Sequence, residues 1–302
     1  MLCQPSAGSL TMQAPAKLNL FLRVVRRRSD GFHDLETVMT AVNLFDTLTF
    51  EPNASSEIQL RVLMAGTRNQ SSRPAAPIPT GADNLVIRAA QLLKDHAGIS
   101  AGVRITLIKR IPSAAGMGGG SSDAAATLAG LNRFWQLSRT QRELMDLAAQ
   151  LGSDIGFFLG ASSTAVCRGR GELIEPLRFP TSLYFVVARP HSGLSTPAVF
   201  KQCTPGVSAR GVDEFVHSLK QQGLGHTVRL LLNDLQGPAE RLNDEVRQLR
   251  EHFSKLPVLG HQMTGSGTSY FGICASLQQA RVIAARLRAV GVPWVQVASS
   301  CS

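Results

Sequence analysis

The 302-residue chain is 44% hydrophobic and 17% charged, with a formal net charge of +10 from 31 Lys and Arg against 21 Asp and Glu. That composition is enough for two globular domains with cores of their own and excludes a disordered chain. No stretch reaches the roughly 18 apolar residues of a membrane span, and the first ten residues lack the charged-then-apolar layout of a secretory signal, so a soluble, cytoplasmic protein without a membrane partner is expected.

The five cysteines, Cys3, Cys167, Cys203, Cys274 and Cys301, are scattered and show neither a CxxC pair nor metal-ligand spacing with the seven histidines. Reduced thiols fit that pattern. The positive charge attracts polyanions in general, nucleic acids and phosphorylated metabolites alike, and does not choose between them. The longest basic run, Arg26, Arg27 and Arg28, is followed by the turn "SDG" and reads as a solvated loop.

In chain order, residues 1–10 show no periodicity and are expected to be disordered. From "APAKLNLFLRVV" onward Leu18, Leu20, Leu22 and Val24 alternate as one face of a strand, and "DGFHDLETVMTAVNLFDTLTFEP" continues with a turn and further β structure. The Ser-, Pro- and Gly-rich stretch 65–84 lacks a pattern and reads as a long loop. "DNLVIRAAQLLKDHAG" reads as a helix with Asp83 or Asn84 as N-cap, ended by Gly98. "GVRITLIKRIP" is a strand; beyond the glycines of residues 116–120, Ala124, Leu128, Leu131 and Trp135 share one helical face. Thr140 and Glu143 have capping-box spacing at the start of a further helix that stops at Gly152.

"STAVCRGRGELIEPL" looks like a tight hairpin, and "FPTSLYFVVARP" is a strong buried-strand signal that opens a second half. There follow a variable middle from Cys203 to Thr227, a helix "AERLNDEVRQLREHF", a strand-loop-strand around "HQMTGSGTSYFGICA", a helix "SLQQARVIAARLRAVG" and a last strand "VPWVQVA". The mixture predicts an α+β sandwich with helices on one face of a mostly antiparallel sheet.

The stretch "IPSAAGMGGGSSDAAATLAG", residues 111–130, sets Gly116, Gly118, Gly119 and Gly120 directly in front of a helix. The first helical turn leaves amide N–H groups without partners, and the helix dipole adds positive charge, so an anion, a phosphate above all, gains both hydrogen bonds and Coulomb energy there. Glycines allow close approach and positive φ, while Ser121 and Ser122 add hydroxyl donors or a magnesium contact. A flexible linker is the commoner meaning of Gly/Ser composition. Here a strand leads in and a patterned helix leads out, which leaves no domains for it to link. The stretch is neither a Walker A motif nor a GxGxxG opening.

"PSAAGMGGGSSDAAA" resembles the glycine-rich ATP-binding motif of the GHMP kinases. "APAKLNLFLRVVRRRSDGFHDLETVM", "DNLVIRAA", "LGSDIGFFLG", "GRGE", "NDLQ" and "TGSGTSYFGI" fall in the order of the isoprenoid-pathway branch of that family, from about residue 11 to the C-terminus. The resemblance implies a two-domain GHMP kinase fold of α+β class with the active site in the cleft between the domains. An N-terminal ATP-binding domain is expected over residues 11–178 and a C-terminal domain over 179–302. It further implies ATP with Mg2+ as cofactors and, as small-molecule substrate, 4-diphosphocytidyl-2-C-methyl-D-erythritol, in a monomer or weak homodimer.

Residue by residue, the resemblance assigns ATP binding to Pro112, Ala114, Gly116, Met117, Gly118, Gly119, Gly120, Ser121 and Ser122, with Asn84 and Lys109 near the adenine by position. Met117 stands where Leu is common. Asp154, which on its own reads as a helix cap, becomes the catalytic base, and Gly156 replaces the Pro of the family segment. Lys17, which on its own reads as a solvent-facing strand residue, becomes the cation that orients Asp154 and keeps it ionised. Asn19 projects from the same face towards the substrate. Phe32 and His33 map onto the family's "DGYH" and its cytosine recognition, Phe for Tyr keeping the stacking face and losing a hydroxyl. Gly265, Ser266 and Gly267, otherwise an ordinary hairpin, are placed beside the diphosphate. Asp123 is a candidate magnesium contact, although the helix dipole alone favours an acid there. The competing expectations are another acceptor, homoserine or mevalonate, and an RNA-binding module. The chain shows little aromatic-basic interleaving to support the latter, so no nucleic-acid partner is expected.

Overall fold

A computed structural model describes residues 1–6, 8–65, 78–160, 162–179 and 181–301. The loop expected over 65–84 therefore lies, at 66–77, outside the described residues. The chain forms two compact units, and neither is one continuous stretch. The first comprises Met1–Ala16, Leu44–Ser113 and Gly118–Ala161; the second comprises Lys17–Asn43, Ala114–Met117 and Ser162–Ser302.

In the first unit, β1 (Leu2–Ser6) pairs antiparallel with the start of β2 (Ser9–Arg27), Leu2 opposite Gln13 and Ser6 opposite Ser9. This corrects the expected disorder of residues 1–10. Gly8, at φ +75°, turns the chain back, and ladder hydrogen bonds organise residues that carry no hydrophobic pattern. The last third of β3 (His33–Asn53) pairs antiparallel with β5 (Gly102–Lys109), which pairs parallel with β4 (Ile58–Met64).

Four helices belong to this unit among its described residues: α1 (Leu85–Ala97), α2 (Gly119–Phe134), α3 (Gln141–Leu151) and α4 (Ile155–Leu159). Their ends follow the sequence signals. Asn84 caps α1 by accepting from the Val86 N–H, Gly98 ends it at φ +66°, and Thr140 and Glu143 form a complete capping box on α3. Ala124, Leu128 and Leu131 of α2 are fully buried. Packing there is close enough that a β-carbon on Gly130 would meet Phe50 Cε2 at 2.5 Å.

The second unit contains residues 17–27 of β2 and 33–43 of β3, with β6 (Thr164–Gly169) beside β3, β7 (Leu173–Pro176) beside β6, and the two-residue β9 (Leu232–Asn233) parallel to β2 at Phe21 and Leu22. A second, four-stranded antiparallel sheet has the order β10 (Gly260–Met263), β11 (Tyr270–Cys274), β8 (Tyr184–Arg189), β12 (Trp294–Ser299). Its core joins Val186 and Ala188 to Phe253, Ile283 and Leu287 of the helices α9 (Asp244–Ser254) and α10 (Leu277–Ala289).

The single helix expected over "AERLNDEVRQLREHF" is two helices, α8 (Gln236–Leu242) and α9. Asn243 breaks it because its side-chain oxygen accepts from the Glu245 N–H and caps α9 afresh. The remaining α-helices among the described residues are α5 (Thr196–Lys201), α6 (Val212–Gln221), inside the variable middle segment, and the one-turn α7 (Leu224–Thr227).

Candidate active site

The glycine-rich stretch is held at two places by different means. Its middle, Ala114–Met117, belongs to the second unit, where the Ala115 carbonyl accepts from the Ser269 N–H at 3.2 Å and the Met117 carbonyl from the Lys17 N–H at 3.0 Å. Gly116 has φ +73°, and a β-carbon there would stand 2.1 Å from the Thr264 carbonyl oxygen. Gly116 is thus required by backbone-on-backbone approach as well as by its φ. Gly265, φ +56°, answers it: its β-carbon would meet the Gly116 carbonyl oxygen at 2.7 Å.

The other end opens α2. Gly118 is the N-cap at φ +68° and no side chain caps the turn, which leaves the leading amides for an anion. Gly119 has a steric reason of its own, since a β-carbon would meet Ile111 Cγ2 at 2.9 Å and Lys109 Nζ at 3.2 Å; at Gly120 the nearest atom is Leu85 Cδ1, an ordinary 3.7 Å away.

Beneath that helix mouth lies a buried charge cluster within the first unit. Lys109, 4% exposed, donates through Nζ to Asp46 Oδ2 and, at 2.7 Å, to Asp123 Oδ2. Asp46 Oδ1 accepts from the backbone N–H groups of Arg110 at 2.5 Å and Ile111 at 2.9 Å, immediately ahead of the glycines. Burial works against the Lys109 charge, but the Asp123 and Asp46 carboxylates overcome it and raise its pKa. Burial pushes the Asp123 carboxyl up to about 7, with Lys109 pulling it down and Asp46 pushing it up. Lys109 and Asn84 were both expected near the adenine. In the structure the Lys109 ammonium is engaged by two carboxylates, and Asn84 spends Oδ1 on capping α1 and Nδ2 on the Pro79 carbonyl at 2.6 Å.

Lys17 and Asn19 do share a strand face, but that face is buried, with Lys17 4% and Asn19 1% exposed. Lys17 Nζ donates to Asn19 Oδ1 at 2.5 Å, and Asn19 Nδ2 donates to Thr37 Oγ1 at 2.9 Å. The Asn19 backbone is pinned by the Thr264 hydroxyl, which accepts its N–H at 3.0 Å, and by Gln262, whose Nε2 donates to its carbonyl at 2.7 Å. Asn233 of the "NDLQ" segment donates to the Met263 and Gly265 carbonyls at 2.8 and 2.9 Å and so shapes the second glycine turn. Ser266 Oγ in that turn is 2.8 Å from Thr196 Oγ1. Asp154 occupies the N-cap position of α4 at φ −81°, ψ −11°, yet its side chain makes no capping bond. Its carboxylate is therefore not explained by helix capping.

At the Asp30–His33 turn, Phe32 is 53% exposed, and the guanidinium of Arg170 lies over its ring, 4.2 Å from the centroid. His33 stacks on Phe200, centroids 5.0 Å apart and planes at 29°. Burial and then the Arg27 charge lower the His33 pKa, which favours the neutral imidazole. The basic run beside this turn is not simply solvated: Arg26 and Arg28 both bind Asp34, at 2.6 and 2.9 Å, and Arg28 also binds Asp30 at 3.0 Å. Asp46, Thr37, Phe200 and Arg170 join these contacts without having been expected from the sequence. Of these only Arg170 had a signal, its place in "GRGE".

Residues 84–166 match the model of the GHMP kinases N terminal domain and residues 212–293 that of the GHMP kinases C terminal. The chain belongs to the GHMP kinases. The 4-diphosphocytidyl-2-C-methyl-D-erythritol kinase of Pelotomaculum thermopropionicum is 40% identical over 281 residues, 92% of this chain and 94% of that protein. The kinase of the same name from Delftia acidovorans is 41% identical over 263 residues, 85% and 84% of the two chains. A crystal structure of 4-(cytidine 5'-diphospho)-2C-methyl-D-erythritol kinase superposes with a TM-score of 0.77 at 35% identity, covering 97% of this chain and all of that one. The GHMP kinase has the two-domain fold of mixed helices and sheets expected for its family. Among the described residues of this GHMP kinase no helix is long and apolar enough to cross a membrane.

Proposed function

We propose that this GHMP kinase transfers the γ-phosphoryl group of ATP to the 2-hydroxyl of 4-diphosphocytidyl-2-C-methyl-D-erythritol, giving the 2-phosphate and ADP in non-mevalonate isoprenoid precursor biosynthesis. The observation that carries the reading is identity of 35–41%, over most of the chain, to relatives that bear this kinase's name.

In this reading Asp154 is the base. It accepts the hydroxyl proton as that oxygen bonds to the γ-phosphorus, and the bond from phosphorus to the β,γ-bridging oxygen breaks with its electron pair leaving on ADP. Lys17 supplies positive charge to the transferring phosphoryl group and Asn19 orients the acceptor. Pro112, Ala114, Gly116, Met117, Gly118, Gly119, Gly120, Ser121 and Ser122 receive ATP, with Asn84 and Lys109 supporting that pocket. Phe32 and His33 take the cytosine, joined by Phe200, and Gly265, Ser266 and Gly267 take the diphosphate.

Among the described residues no group of three or more His, Cys, Asp or Glu is placed to hold a metal. Two buried oxygens at the mouth of α2, Ser122 Oγ and Asp123 Oδ1, have no hydrogen-bond partner, which fits a magnesium ion that takes most of its ligands from phosphates and water. Ser122 and Asp123 would hold it, and when bound it would neutralise phosphate charge. The reading includes a cytoplasmic location, a monomer or weak homodimer, no nucleic-acid partner, and family halves over residues 11–178 and 179–302.

The test is coupled ADP release from purified protein with ATP, magnesium and each of three acceptors: the cytidylated methylerythritol, mevalonate and homoserine. Turnover with the first alone supports the assignment. Turnover with another acceptor, or with none while ATP still binds, rejects it.

A further inference from the structure

The "GRGE" turn joins β6 to β7 and is built to hold one side chain in place. Gly169 and Gly171 take φ +71° and +122°, the Gly171 N–H donates to the Arg168 carbonyl at 3.1 Å, and Glu172 folds back to accept from the Arg170 N–H at 2.6 Å. Gly169 admits that carboxylate, since a β-carbon would stand 2.9 Å from Glu172 Oε1. Because Gly169 lies opposite Leu35 in the ladder between β6 and β3, the turn is delivered next to the residues that precede β3. There the Arg170 guanidinium covers the ring of Phe32.

Phe32 is itself held from the backbone. Its N–H donates to Asp30 Oδ1 at 3.1 Å and its carbonyl accepts from the Arg28 N–H at 2.8 Å. Partial desolvation pushes the Asp30 carboxyl up, but the Phe32 N–H, Arg28 and the nearby Arg170 charge outweigh it and leave its pKa lowered. The turn is thus an ion-paired seat, Asp30 held by Arg28, with a further cation above it and an aromatic ring between. Phe32 nevertheless remains 53% exposed. An exposed phenyl group with no lateral support would lose rotamer freedom on meeting a flat ligand. A cation already on one face restrains the ring beforehand and leaves the rest available for stacking.

We propose that Arg170 is a positioning residue for the nucleobase of the acceptor: it acts through Phe32, holding the ring as a pre-set stacking platform, and so helps set specificity for the cytidine-linked substrate. The inference rests on the reading of Phe32 as the base platform. It assigns Arg170 no contact with the phosphoryl group and no part in proton transfer.

A double-mutant cycle on the full-length enzyme tests it, with the variants Arg170→Ala, Arg170→Gln, Phe32→Leu and Phe32→Leu/Arg170→Ala, and with KM for the acceptor, KM for ATP, kcat and the melting temperature as readouts. Loss of an exposed cation–π contact should raise the acceptor KM about two- to fivefold in both Arg170 variants, with kcat, the ATP KM and the melting temperature unmoved. In the Phe32→Leu background the same change at Arg170 should have no further effect. An unchanged acceptor KM in Arg170→Ala and Arg170→Gln overturns the proposal. So does an equal rise in both backgrounds, which would mean that Arg170 acts on the substrate's charge and not through the ring. If Phe32→Leu alone leaves the acceptor KM unchanged, the platform reading fails first and the inference with it, a result distinguishable from the other two.

Discussion

Gly116 and Gly265 lie backbone to backbone, so close that a β-carbon on either would enter the other's turn: 2.1 Å from the Thr264 carbonyl oxygen in one direction and 2.7 Å from the Gly116 carbonyl oxygen in the other. The glycine-rich stretch is therefore docked on a second glycine turn far along the chain. Gly116→Ala should destabilise the protein by about 1–3 kcal/mol and raise the KM for ATP, because backbone atoms would have to move and φ would be strained. Gly120→Ala, whose β-carbon meets only a leucine methyl group at 3.7 Å, should stay within about 1 kcal/mol of wild type. Urea unfolding of the two variants, side by side, checks the contrast.

Asp154 sits at a helix N-cap without capping it. Asp154→Asn should reduce kcat by two or more orders of magnitude, roughly the range of a lost general base, while the Kd for ATP stays within about twofold. Near-normal turnover would remove Asp154 from the chemistry.

Lys109 is the only cation bonded to Asp46 and Asp123 among the described ion pairs. Lys109→Met leaves two carboxylates buried without it and should cost about 3–5 kcal/mol. Partial rescue by Asp123→Asn in the same chain, read from denaturant midpoints, would show that the uncompensated charge is the cause.

The same cluster sets a pH dependence. Burial first, and Asp46 after it, hold the Asp123 pKa at about 7, above its ordinary value of 3.8, against Lys109. A carboxyl whose pKa is raised by folding stabilises the protein fully below the unfolded value, and that contribution is lost as pH rises through the folded one. Between pH 4 and 8 Asp123 should therefore lower stability with rising pH, by an amount on the order of a few kcal/mol. Asp123→Asn should flatten this slope in a series of thermal melts. A slope unchanged by the substitution would assign the titration elsewhere.

His33 and Phe200 stack although 167 positions separate them in sequence. Phe200→Ala should raise the acceptor KM by roughly 5- to 150-fold, the scale of about 1–3 kcal/mol measured for a lost base-stacking partner, with the ATP KM unaltered. Equal losses for both substrates would point to a packing role instead.

Local signals in the sequence settled what local physics controls. The cap at Asn84, the left-handed stop at Gly98 and the capping box of Thr140 and Glu143 all form as their spacing predicts, because each involves groups within a few residues of one another. The order of strand, glycine stretch and helix was legible for the same reason, and so was the "GRGE" hairpin. Partners at long range decided the rest. Lys17 read as a surface lysine, because alternation gives a strand two faces and does not say that both will be covered; in the fold both are. The Lys109 bond to Asp46 spans 63 residues and the Thr264 bond to the Gly116 carbonyl spans 148, so no window of sequence holds both members. A hydrophobic period reports which side of an element turns inward, while the identity of the group met there depends on how the chain returns. Only the tertiary structure could show that Gly116 and Gly119 make room for protein atoms, that Asp46 braces the entry to α2, and that Arg170 covers Phe32.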